Sequence, residues 1–275
     1  MASYISSIGL SVLMEEKVNG LKYDMFVPER RLLIEINGLK WHSVDGAKER
    51  DIRKYRNAMS SGNEFLMFFE DECRSGKAEK ILQNRLILSA VRPLRPSECH
   101  VRTIGSPDAD LFYDLFHYIG PCRPAVSLGA YFDGHLVACM SFSRPTRQSS
   151  HPWELVRMAS DPAYRVHGIW SKLFRMFVRE RSPSSVVSFS DNRLFTGAVY
   201  GKMGFVLDGE VRPDYYWTDG YKRHHKSGLR KKGAERASGL TEAQLRTESG
   251  LRKIWDLGKK RWVWCSIKCN DKGPH

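Results

Sequence analysis

Two acidic residues near the amino end, Asp24 and Glu35, fall in the apolar runs KYDMFVP and RLLIEIN, which a short turn separates. Side chains on neighbouring strands come within reach of one ion, and paired carboxylates suit a hard divalent cation. Glu35 has Leu33, Ile34 and Ile36 around it, so a carboxylate there needs a partner to offset its desolvation. His42 stands just past the second run, where a neutral imidazole can take a proton from cation-bound water. Asp51 and Lys54 lie in the next charged segment, GAKERDIRKYRNAMSS. There Asp51 can orient His42, and Lys54 can stabilise charge on a five-coordinate phosphorus. Asp24 and Glu35 as metal ligands, with His42, Asp51 and Lys54 beside them, predict Mg2+-assisted phosphodiester hydrolysis, Mn2+ serving as a substitute.

A second set of residues concerns binding. Between Arg212 and Trp262 the chain carries fourteen Lys and Arg against six Asp and Glu. In YKRHHKSGLRKKG, the side chains of Lys222, Arg223, His224, Lys226, Arg230, Lys231 and Lys232 are the candidate DNA contacts. Such cations neutralise phosphates and release counterions, which gives affinity without sequence choice. Tyr215, Tyr216 and Trp217 add faces on which bases can stack. The whole chain has 44 Lys and Arg against 31 Asp and Glu, a net charge of +13. That balance favours a polyanionic partner, here expected to be double-stranded DNA.

These side chains need elements to hold them. Residues 16–69 read as strand, turn, strand, helix, strand, with the helix applying Ile52, Tyr55 and Met59 to the sheet. SGKAEKILQNRLILSAV continues as a basic amphipathic helix. Residues 92–107 carry three prolines and little periodicity, as an inter-domain connection does. Beyond them, LFYDLFHYI reads as a helix, and SLGAYFDGHLVACMSFSR as a hairpin turning at Asp133–Gly134. WELVRMASDP, GIWSKLFRMFVRER and SSVVSFSD then alternate strand, helix, strand. TEAQLRTESG opens with a capping signature, and RKIWDLG with KKRWVW reads as a closing hairpin.

The expected class is therefore α/β (α+β), with a small mixed sheet over 1–91, a linker over 92–107, a second αβ domain over 108–211 and a basic aromatic segment over 212–275. At 275 residues the chain can build two modest cores. No apolar run approaches a bilayer span, so no membrane partner is expected, and MASYISSIGLSVLMEE lacks the basic start of a signal peptide. Six cysteines without a Cys-x-x-Cys pair predict reduced thiols and a cytoplasmic setting. One active site cuts one strand at a time, so double-strand cleavage would imply a homodimer.

Two family resemblances sharpen these expectations. Tyr23–Pro28, Ile34-Glu35-Ile36-Asn37-Gly38, Trp41-His42 and Phe69–Glu72 resemble the PD-(D/E)XK nucleases, in the branch of very-short-patch-repair-like and phage homing endonucleases. The resemblance implies an endodeoxyribonuclease working in a bacterial host cell, with Asp24 and Glu35 on Mg2+ and His42 moving a proton. Residues 108–211 resemble the GNAT N-acetyltransferase fold. Tyr164 to Leu173 stands at that family's pyrophosphate loop, and Asp191-Asn192 with Tyr200 to Phe205 at its second motif. That resemblance implies an acetyl-CoA site with Tyr200 as general acid, although Trp170 falls where the family has a small residue. Acetyl transfer and non-catalytic DNA binding are thus the rivals to nuclease activity.

Overall fold

The computed structural model describes residues 1–86, 93–145 and 149–266, and the chain divides into two compact units that interleave in sequence. Unit one comprises Met1–Ala78, Asp191–Thr196 and Val211–Lys259; unit two comprises Glu79–Ser190, Gly197–Glu210 and Lys260–His275. The architecture is α+β, as expected.

Unit one opens with strand, turn, strand, helix, strand. β1 (Met25–Val27) and β2 (Leu32–Asn37) pair antiparallel, Met25 opposite Ile34 and Val27 opposite Leu32. Pro28 starts the tight turn between them, and Arg31 closes it with φ 46°. Helix α1 (Ala47–Ser60) then crosses over, so that β3 (Glu64–Phe69) lies parallel to β2 with Asn37 opposite Phe69. The core beneath gathers Tyr23, Leu33, Leu39, Phe65, Met67 and Phe69, against which Ile52 and Tyr55 pack. Met59 instead stays exposed.

Unit two is built on a seven-stranded sheet. In chain order its elements are β4 (His100–Ile104), α2 (Ser106–Phe116), β5 (Val126–Phe132), β6 (His135–Ser143), β7 (Trp153–Ser160), α3 (Ile169–Arg181), β8 (Ser185–Asp191), α4 (Ala198–Lys202) and β9 (Val206–Val211). The hairpin of β5 and β6 turns at Asp133–Gly134, both with positive φ. Alternation along β6 supplies two cores. Ala138 and Met140 meet Leu173, Phe174 and Phe177 of α3, whereas Cys139 meets Phe112 and Tyr113 of α2. Helix α3 buries Ile169, Leu173, Phe174 and Phe177, the stripe that its sequence spacing presents. Phe142 of β6 stacks on Phe177 with ring centroids 3.6 Å apart.

The segment after β9 departs from the expected closing hairpin. β10 (Tyr215–Thr218) and β11 (Arg252–Trp255) pair antiparallel in unit one, with Tyr215 opposite Trp255. β12 (Lys259–Cys265) does not fold back on β11 but enters the large sheet, whose order is β9-β12-β8-β7-β6-β5-β4. Trp262 and Trp264 of β12 pack there on the α3 core. The basic helix expected from residue 75 is helical over Lys77–Leu86; its remaining residues, 87–91, and the terminal 267–275 lie outside the described residues.

Candidate functional site

The acids expected to bind metal do converge in unit one, but on each other and on a lysine. The Asp24 backbone N–H donates to Glu35 Oε1 at 3.2 Å, and Asp24 Oδ2 accepts from the Ile36 N–H at 2.7 Å. Lys54 Nζ donates to Glu35 Oε2 at 2.7 Å from the facing side of α1. Glu35 is 3% exposed. Burial raises its carboxyl pKa above the ordinary value, Asp24 adds to that, and the Lys54 hydrogen bond opposes it.

His42 and Asp51 form a separate pair. His42 Nδ1 lies 3.1 Å from both Asp51 oxygens, and Asn37 Nδ2 donates to Asp51 Oδ2 at 2.7 Å. These contacts join the imidazole to α1. Trp41 beside it is 71% exposed.

The run Glu70-Asp71-Glu72 looks in sequence like a solvated strand end, yet it anchors a charge network. Arg193 donates to Glu72 Oε2 at 3.0 Å, and Arg223 reaches Glu72 Oε1 at 2.9 Å and Asp71 Oδ1 at 2.8 Å. Burial alone would raise the Glu72 carboxyl; the two guanidiniums outweigh it and hold the pKa below the ordinary value.

The basic candidates of unit one are mostly engaged internally. Arg223 belongs to this network, Lys226 Nζ bonds both Asp214 oxygens at 2.6 Å, and His224 Nε2 lies 3.1 Å from Asp219. Lys231 donates to the Leu240 carbonyl at 2.7 Å. Lys222, Arg230 and Lys232 are exposed.

The second site is in unit two, where two parallel strands part. β7 and β8 pair only from Trp153 opposite Val186 to Leu155 opposite Ser188, yet β7 runs on to Ser160 and β8 to Asp191. A bulge opens β7 at the same level: Phe142 of β6 faces Leu155 and Ser141 faces Arg157, which leaves Val156 unmatched. A chain of hydroxyls fills the vertex. Ser188 Oγ lies 2.8 Å from the Leu155 carbonyl and 2.9 Å from the Tyr200 hydroxyl, which is 3.3 Å from the Phe189 carbonyl. Burial pushes the Tyr200 phenol up to about 12, so it keeps its proton at neutral pH.

Trp262 walls this vertex. Its ring stacks on Tyr200 with centroids 5.5 Å apart, and its Nε1 donates to Ser190 Oγ at 2.9 Å. Gly197, with φ +82°, leaves the space that the indole occupies, because a Cβ there would fall 2.3 Å from Trp262 Cζ2. At the open end of the cleft, residues 161–168 lead into α3. Gly168 is the N-cap in left-handed conformation, which frees the first-turn N–H groups of α3 to face a ligand. Trp170 packs against the α3 core, so its indole does not have to fill the loop. Ser188 and Trp262 escape sequence reasoning, because only the fold brings residues 155, 188, 200 and 262 together.

No family model matches the chain, and no curated protein matches it. Solved structures do. The chain is similar to nourseothricin acetyltransferase, at 16% identity over 61% of this chain and 98% of that one, with a TM-score of 0.35. It is similar to a GNAT family acetyltransferase from Elizabethkingia anophelis with acetyl-CoA bound, at 14% identity over 62% and 99% of the two chains, TM-score 0.34. It is also similar to the ribosomal-protein-S18-alanine N-acetyltransferase from Escherichia coli, at 13% identity over 64% and 99%, TM-score 0.38.

The expected metal-dependent endodeoxyribonuclease is thereby corrected. These neighbours are acetyltransferases rather than nucleases, and no finding supports the PD-(D/E)XK or phage homing assignment. The expectation of Mg2+ or Mn2+ on Asp24 and Glu35 is corrected with it. Among the described residues no group of three or more His, Cys, Asp and Glu is arranged to hold a metal ion. The physical reason is visible at both acids: Asp24 Oδ2 accepts the Ile36 N–H, and Glu35 is paired with the Lys54 ammonium. Among the described residues no helix is long and apolar enough to cross a membrane.

Proposed function

We propose that the chain is a GNAT-type N-acetyltransferase that uses acetyl-CoA and acts through unit two. The observation that carries this reading is the parting of β7 from β8 after Leu155, with a tyrosine hydroxyl at the vertex and a glycine-capped helix at the mouth. A gap between parallel strands offers an extended ligand unpaired backbone on both sides. The N-terminus of α3 suits the pyrophosphate of coenzyme A, because its N–H groups and dipole favour negative charge. When bound, acetyl-CoA would supply an acyl group already activated as a thioester.

The chain's own residues then have defined tasks. With acetyl-CoA bound, Tyr200 would give its phenol proton to the sulfur as the C–S bond breaks and a C–N bond forms, and would recover a proton from the attacking amine nitrogen. Ser188 and the Phe189 carbonyl fix that oxygen, and Trp262 keeps water from the ring face. In this reading the Glu35–Lys54 ion pair and the His42–Asp51 hydrogen bond tie α1 to β2 and to the loop that follows it.

The test is thiol release from acetyl-CoA in the presence of a panel of primary amines: polyamines, amino acids, aminoglycosides and short peptides. Amine-dependent release is expected with at least one class. Folded protein that releases no thiol with any of them contradicts the proposal.

A further inference from the structure

Helix α3 presents a second flank, away from Ser171 and Phe174. Beside it lies a cavity of about 510 Å³ whose lining includes Ser97, Val101, Lys172, Arg175, Met176 and Arg179. Residues 172, 175 and 179 follow the three-and-four spacing of one helix flank, so three cations face the same groove. Lys172 is fixed there by the carbonyls of Pro96, at 2.8 Å, and Cys99, at 2.6 Å. Both partners are neutral, so its positive charge is positioned without being cancelled. Arg175 and Arg179 are exposed, and neither has a carboxylate within ion-pair distance among the described residues. No acid lines the groove.

We propose that this groove contacts the phosphate backbone of nucleic acid. At 1.5 Å rise per residue the three cations extend over about 10 Å. Each strand of DNA carries a charge about every 3.4 Å of axis, so a linear polyanion can meet all three at once. Val101 and Met176 give an apolar floor that suits sugar faces. The groove adjoins the mouth of the strand cleft, because Pro96 of its lining lies against Gly168, and it runs from there along one flank of α3. The other flank of α3 carries Ser171, whose hydroxyl reaches the Lys202 carbonyl at 3.3 Å, and Phe174, which meets Trp264. Acetyl-CoA binding is therefore measured beside DNA binding, so that the two ligands are told apart.

The experiment is a fluorescence-anisotropy titration of a short labelled DNA duplex across a series of salt concentrations. It compares the full chain with Arg175→Ala/Arg179→Ala and with the charge reversal Arg175→Glu/Arg179→Glu. Both positions are exposed, so the variants should fold; a thermal melt checks this. The alanine pair is expected to weaken binding about tenfold at low salt, and to flatten the slope of log K against log salt by about 2. The reversal should weaken it further. Unchanged affinity and slope in both variants would overturn the proposal. So would lost acetyl-CoA binding with DNA affinity intact, which would assign the groove to a small phosphate ligand.

Discussion

Tyr200 combines a buried phenol with a place at the point where two strands separate. Burial keeps it protonated through neutral pH, the state a proton donor needs. Tyr200→Phe keeps the ring and its stacking on Trp262, so the fold should persist. Steady-state assays should show kcat falling about a hundredfold with KM for acetyl-CoA little changed; an unchanged kcat would remove Tyr200 from the chemistry. Gly197 makes a stability prediction at the same scale. Gly197→Ala combines a strained φ with a clash against Trp262, and should cost about 2 kcal/mol in urea denaturation. In sequence Asp24, Glu35, His42, Asp51 and Lys54 read as one site, whereas the structure links Asp24 and Glu35 with Lys54 and pairs His42 separately with Asp51. What spacing could not show is that the Lys54 ammonium reaches Glu35 directly and supplies the charge a metal would have brought.

Elements were legible wherever pairing is local. The β1–turn–β2–α1–β3 order follows from apolar runs and one Pro-led turn, and the β5–β6 hairpin from an Asp-Gly pair. Glu72 shows the opposite case. Its partner Arg193 lies 121 positions away, so three consecutive acids looked like a solvated strand end. Glu72→Gln leaves two guanidiniums facing a neutral amide and should cost about 3 kcal/mol in stability at neutral pH. The sign with pH follows from the lowered carboxyl pKa. The contribution is complete above the unfolded value of 4.5 and is lost as pH falls through the lower folded value. Denaturation curves taken down the acid range should therefore converge for the parent and Glu72→Gln; a constant gap would contradict the assignment.

At the scale of the whole molecule, chain order and spatial order diverge. β12 comes after the whole 212–258 segment yet sits between β9 and β8 inside the large sheet. Nothing local in KKRWVWC announces that position, because strand partners about seventy residues away leave no periodic signal. Truncation ahead of Lys259 removes an interior strand together with Trp262 and Trp264. It should abolish the cooperative melt of unit two in circular dichroism; an unshifted melt would mean that β12 is dispensable. The charge of +13 is likewise a property of the whole chain, and within the 222–232 cluster Arg223, His224 and Lys226 pair with carboxylates whereas, among the described residues, Lys222, Arg230, Lys231 and Lys232 do not. Cations left without carboxylates, such as Arg175 and Arg179, are better placed for a polyanion.

The most direct measurement is calorimetric titration of the full-length chain with acetyl-CoA. The parting strands, the Tyr200–Ser188 hydroxyl chain and the Gly168-capped helix predict saturable heat at a stoichiometry of one ligand per chain. A folded protein that produces no binding heat with acetyl-CoA would contradict the assignment of the cleft.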